Sequence, residues 1–160
     1  MTENSSQQLV NLITATQKRL CELLEMVADD QDWQSEPQEW SFRYIAAHLA
    51  TTDKECYQDR VVRISASEKP FFESYFNTGR DFSQLDLRDS LQKWRATRQE
   101  IFNLVDKLPE EKLLLSGTHA AFGKITVIDV LKLMLEHDQE HIKNLELVTA
   151  EYRTRILNKH

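Results

Sequence analysis

Three histidines, His48, His137 and His141, are the residues of this chain whose type and spacing could do chemistry. His137 and His141 stand four apart in the run His137-Asp138-Gln139-Glu140-His141, inside a long stretch of helical pattern. That spacing puts both imidazoles on one helical face, about one turn or ~6 Å apart along the axis. The apolar seam of this segment reads Val130, Met134, His137, His141, Leu145, Val148, and His48 holds the same kind of position between Ile45 and Thr52. Buried polar groups need partners, and neither seam carries a cluster of acidic residues that would hold charged imidazoles. Three imidazoles converging inside a helical bundle are most simply explained by a metal ion. Three neutral ligands leave such an ion its full charge and an open position, the pattern of catalytic rather than structural zinc. It would lower the pKa of a bound water, or hold a thiol as thiolate.

The neighbouring residues are ranked by the faces they share. Thr52 and Glu55, four and seven after His48, lie on its face and are expected to support the ligands. Asp53, five after His48, has turned well past one full turn and is a weaker candidate for orienting a ligand or contacting substrate. Asp138 and Glu140 fall off the seam and read as solvated helix charges. His119, in Ser116-Gly117-Thr118-His119-Ala120, reads as a solvated loop histidine near the mouth of the site, and His160 as a disordered terminal residue. No residue is assigned as catalytic. Cys21 and Cys56 lie far apart without a CxxC pattern and read as small buried hydrophobes rather than nucleophiles or a disulfide.

Sharper motifs fail on inspection. His137 to Glu140 and His141 match the H-x-x-E-H string of inverzincin proteases, but only 19 residues follow His141, too few for the rest of such a domain. An HD-type phosphohydrolase needs a later Asp, and none occurs after Asp138. A ferritin-like di-iron bundle needs Glu three before its histidines, where Ile45 and Met134 stand here.

The elements that must position the histidines follow from periodicity. Only 3 Gly and 3 Pro punctuate 160 residues, 41% of them hydrophobic, which argues for one all-α domain of long helices over residues 1–160. The first helix runs from about Ser6 to Ala28, with Leu9, Ile13, Thr16, Leu20, Leu23 and Val27 on one stripe. The second begins at Ser41 as N-cap and reaches about Ile64. The third starts near Asp86 and ends before Pro109. The fourth opens with a capping-box-like Thr126-Val127-Ile128-Asp129 and continues to about Ile156. The stretch between the second and third, holding Pro70, Phe71, Phe72, Tyr75, Phe76, Gly79 and Phe82, is too long for a tight turn. It reads as a crossover packing its aromatics on a four-helix bundle.

A net charge of −6, from 20 basic and 26 acidic side chains without a basic cluster, argues against nucleic acid as a partner. The polar start of the chain and the lack of a membrane-length apolar run predict a cytoplasmic protein with neither signal peptide nor membrane contact.

With these residues assembled, the chain resembles the DinB/YfiT-like family of metal-binding four-helix bundles. The match is carried by the block from Gly123 to Leu145, with a Gly before the last helix and paired histidines on it. A second block, Trp40 to Asp53, places a Trp, then His48, then an acidic residue. The resemblance implies that His48, His137 and His141 bind one divalent ion, zinc or nickel. It also implies a hydrolase acting on a small molecule, or a thiol S-transferase using a low-molecular-weight thiol cosubstrate, or alternatively a non-catalytic metal-binding stress-related or interaction protein. A homodimer formed through an exposed bundle face fits the family.

Overall fold

Side-chain caps set the starts of the helices. In the computed structural model, which describes residues 2–158, the Ser41 hydroxyl accepts from the Tyr44 amide at 3.1 Å and opens the second helix. Asp86 does the same for the Asp89 amide at 3.2 Å and opens the third. At the start of the fourth the capping box closes in both directions: Thr126 donates its amide to Asp129, and Asp129 its amide to the Thr126 hydroxyl. Each such cap is worth about 1 kcal/mol.

The bundle consists of α1 (Thr2–Met26), α2, α3 (Leu87–Lys107) and α4 (Val127–Asn158). Helix α2 is a composite of an α-helical Phe42–Thr52, a π-helical turn Asp53–Tyr57 and an α-helical Gln58–Ser65. Helix α1 packs along α4, and α2 along α3, with the long crossover joining the two middle helices as the sequence predicts. Among the described residues no helix is long and apolar enough to cross a membrane. His160 lies outside the described residues.

Two apolar clusters fill the interior. One holds Ile13, Val61, Ile101, Val130 and Met134; the other holds Leu20, Leu24, Phe42, Leu49, Leu91, Trp94 and Leu145. Each fully buried side chain of this size contributes roughly 1.5–3 kcal/mol. Every helix carries a polar residue between its contributions to the two clusters: Thr16 on α1, Asp53 on α2, Arg98 on α3 and Asp138 on α4. These four meet. Arg98 donates to Asp53 at 2.9 and 3.1 Å and to Asp138 at 2.6 and 3.2 Å, and Thr16 donates to Asp138 at 2.7 Å.

Two features go beyond the sequence reading. The 116–126 region, read as loop, forms β2 (Ser116–His119) and β3 (Gly123–Thr126), which pair antiparallel, while β1 (Phe71–Phe72) of the crossover pairs parallel with β2. Close approach at Gly117 permits this, because a Cβ there would sit 2.8 Å from the Pro70 carbonyl oxygen. The crossover also does not bury all its aromatics. Phe72 and Phe82 are buried, whereas Phe71 and Phe76 project into solvent.

Candidate metal centre and its cavity

Each of the three histidines reaches the same point from a different place in the fold. His48 comes from the first half of α2, and His137 and His141 from successive turns of α4. The Nε2 atoms of His48 and His137 stand 3.2 Å apart and those of His137 and His141 3.1 Å apart. One ring nitrogen from each lies within 4.8 Å of the other two, so the residues could hold a metal ion.

Protonation state decides what this cluster is. Burial, then the mutual repulsion of the rings, pushes His137 down to about 3, and burial first with His48 second pushes His141 down to about 4. Burial likewise lowers His48, partly offset by its bond to Asn77. All three are therefore neutral at pH 7. Asn77 fixes the His48 tautomer. Its amide nitrogen donates to Thr52 and to the Tyr75 hydroxyl, which leaves Oδ1 to accept from His48 Nδ1 at 2.7 Å. The proton of His48 thus sits on Nδ1, and the Nε2 lone pair faces the other imidazoles. Neutral nitrogens crowded within 3.2 Å cannot all satisfy one another by N–H···N bonds, because each ring has one proton to give. A cation at the ~2.0–2.1 Å distances usual for zinc–imidazole bonds would satisfy all three. The donor set fits a divalent transition metal.

Trp40 packs against the cluster, its ring 4.8 Å from that of His48 and stacked at 6.3 Å on that of His141. On the other side lies a cavity of about 300 Å³ whose wall includes His48, His137, Tyr57, Asn77 and Phe122. A larger hollow of about 790 Å³ beneath the crossover is lined by none of the described histidines. Only the smaller one adjoins the histidine cluster.

The ranking of neighbours is partly revised. Thr52 and Glu55 both join the support of the site, but through the crossover rather than directly. Thr52 accepts from Asn77, and Glu55 accepts from Tyr75, which accepts from Asn77 in turn. Glu140 is exposed, as expected. Asp138 is not a solvated charge: it is fully buried on Arg98 and Thr16, because the wide α4 stripe includes the face beside the histidines. Asp53 turns away from the cavity to the same arginine, and burial raises it despite that cation. His119 is not solvated either. It is 3% exposed on β2, its Nδ1 accepts from the Ala121 and Phe122 amides, and it lines the cavity. The strand pairing that buries it is long-range and left no local signal. Both cysteines are buried and free, and burial pushes the Cys56 thiol up to about 11, which makes it a poor nucleophile.

Asn77, Arg60 and Tyr57 were not found from the sequence. Only Arg60 left a trace there, at four-residue steps from His48 through Thr52 and Cys56.

The chain matches a sequence model of the DinB superfamily over residues 8–145. Its fold resembles that of YfiT from Bacillus subtilis, described as a probable metal-dependent hydrolase with an unusual four-helix bundle topology. That likeness has a TM-score of 0.79 at 19% identity and covers 95% of this chain and 89% of the other. A DinB-like protein of Bacillus subtilis, YjoA, is similar with a TM-score of 0.63 at 18% identity, covering 91% of each chain. No curated protein matches the sequence.

Proposed function

This chain belongs to the DinB superfamily, and on that premise we propose that it binds one divalent transition metal ion through His48, His137 and His141 and hydrolyses a small molecule held in the adjoining cavity. The convergence of three neutral imidazole nitrogens, two of them from residues that line a cavity, carries this reading. An all-imidazole donor set suits zinc or nickel. A metal bound there supplies Lewis-acid chemistry, lowering the pKa of a water or thiol so that a nucleophile exists at neutral pH. The protein's own part is positional. Asn77 keeps the His48 lone pair on the site, Trp40 packs on the His48 and His141 rings, and the cavity admits substrate beside His48 and His137. YfiT, which shares the fold, is described as a probable metal-dependent hydrolase, and that supports the assignment.

One observation favours a second reading. Among the described residues no Asp or Glu lines the cavity, so none of their carboxylates stands ready to take a proton from water. Transfer of a low-molecular-weight thiol needs less help, since a thiol ionises more readily than water. The reaction would then be S-transfer to a small electrophile.

Elemental analysis of the purified protein tests the shared premise. About one transition metal per chain is expected, and a His137→Ala/His141→Ala variant should contain none. Metal absent after reconstitution, or retained by the variant, overturns the reading. Product analysis with and without added thiol then separates hydrolysis from transfer.

A further inference from the structure

Arg60 carries a charge that the fold does not neutralise. It is only 6% exposed, yet among the described residues it makes no ion pair. Its polar contact is a long hydrogen bond, 3.4 Å, to the Glu73 carbonyl, and its guanidinium lies 5.5 Å from the centre of the Phe72 ring. Arg98, also buried, shows what the fold does for a structural arginine: two carboxylates hold it. A buried guanidinium without an anion is strongly disfavoured, and such groups persist where a ligand supplies the missing charge.

The position of Arg60 says where that ligand sits. Arg60 lines the same cavity as His48 and His137, at the far end of the stripe His48, Thr52, Cys56, Arg60 on α2. In a regular α-helix twelve residues would drift about 120° around the axis. The π-helical turn Asp53–Tyr57 lies between them, and its wider winding offsets that drift and keeps both ends of the stripe on one wall. Among the described residues no Asp, Glu or Lys stands on the wall, and Arg60 is the one permanently charged side chain that lines the space.

His119 adds a second donor. Two backbone amides occupy its Nδ1, so its proton is on Nε2. Burial first and the nearby Arg60 charge second keep the ring neutral. The remaining wall is largely apolar, with Leu133, Phe122 and the exposed Phe76.

We infer that Arg60 is the recognition group for a carboxylate on the substrate, so that the cavity takes a small molecule with an apolar body and an anionic end remote from the three histidines. One guanidinium and one neutral N–H match the single charge of a carboxylate better than the double charge of a phosphate monoester. The inference rests on this cavity being the substrate site, and deepens that assignment by naming a substrate class.

Metal-stripped protein gives the cleanest test, because a carboxylate then has no metal to bind. Titration calorimetry at pH 7.5 would compare phenylacetate with its uncharged isostere phenylacetamide. Phenylacetate should bind at least about tenfold more tightly, the discrimination expected of a charge-assisted hydrogen bond. Arg60→Gln should abolish the preference while still binding phenylacetamide, which also shows that the cavity has kept its shape. Arg60→Lys should retain part of it. Equal binding of acid and amide by the native protein, a preference that survives in Arg60→Gln, or binding of neither probe overturns the inference. Metal content measured on the same preparations before stripping keeps the two readings apart: a chain without metal that still prefers the acid would fault the metal assignment alone.

Discussion

At the scale of single residues, the candidate centre depends on which nitrogen of each imidazole carries the proton. The Asn77 carbonyl oxygen takes that decision for His48. Asn77→Leu should leave the helices intact, as judged by circular dichroism, and weaken metal binding by about 10–100-fold in a chelator competition, the usual cost of losing a ligand's outer partner. The depressed histidines also give the metal-free protein a pH signature. His137, near 3 folded against 6.5 ordinarily, and His141, near 4, bind protons in the unfolded chain before they do in the folded one. Their contribution to stability is therefore fully present above about pH 6.5 and is lost progressively as pH falls towards 4 and 3. Melting temperatures of stripped protein should be flat near pH 7–8 and fall steadily below pH 6.5 in excess of a His137→Ala/His141→Ala control. A variant with the same acid slope as the native chain would contradict the neutral assignment.

At the scale of elements, a polar layer crosses the bundle between its two apolar clusters and ties all four helices together. Arg98 is its hub, 1% exposed, with Trp94 packed 4.6 Å from its guanidinium carbon. Burial alone would lower its proton affinity, but Asp53 and Asp138 more than offset this and hold it above its ordinary range. Breaking such a network by removing one partner strands the others. Arg98→Met should cost about 3–5 kcal/mol in urea denaturation, because two buried carboxylates lose their cation at once. A loss under 1 kcal/mol would mean the layer is not a stabilising unit. The layer also explains why α2 winds through a π-turn at Asp53–Tyr57: Asp53 faces the arginine while His48 and Arg60 face the cavity. One helix thereby serves two walls.

For the whole molecule, the proposed metal would clamp α2 to α4 across the bundle, joining two helices that the crossover and α3 separate in sequence. A ligand that binds only the folded state stabilises it by mass action. Zinc or nickel at ~100 times its dissociation constant should add about 2.7 kcal/mol, a rise in melting temperature of roughly 5–10 °C for a domain of this size. Thermal scans with stepped metal concentration would read this, and the histidine double variant should show no rise. An unchanged native melting curve would place the metal outside the folding equilibrium and so outside this site. The small sheet works at the same scale. By pairing β1 of the crossover with β2 before α4, it draws Asn77, Tyr75 and His119 to the cavity from regions that share no helix with the histidines.

The division between what was legible in the sequence and what was not follows from range. Helical periodicity, caps and the four-residue histidine spacing are local signals, written within a turn or two of chain, and they were enough for the bundle, its order and the three candidate ligands. The resemblance of the blocks around His48 and His137 added the family. Pairings across tens of residues leave no such mark. Asp138 looks like a surface charge until Arg98 arrives from another helix, His119 looks like loop until Phe72 pairs beside it, and Asn77 is one polar residue of a crossover until the fold sets it against His48. Burial alone does not separate the two arginines of the interior. Arg98 falls on the apolar stripe of its helix and Arg60 at four-residue steps from His48, and only the tertiary structure gives carboxylates to one and an open cavity to the other.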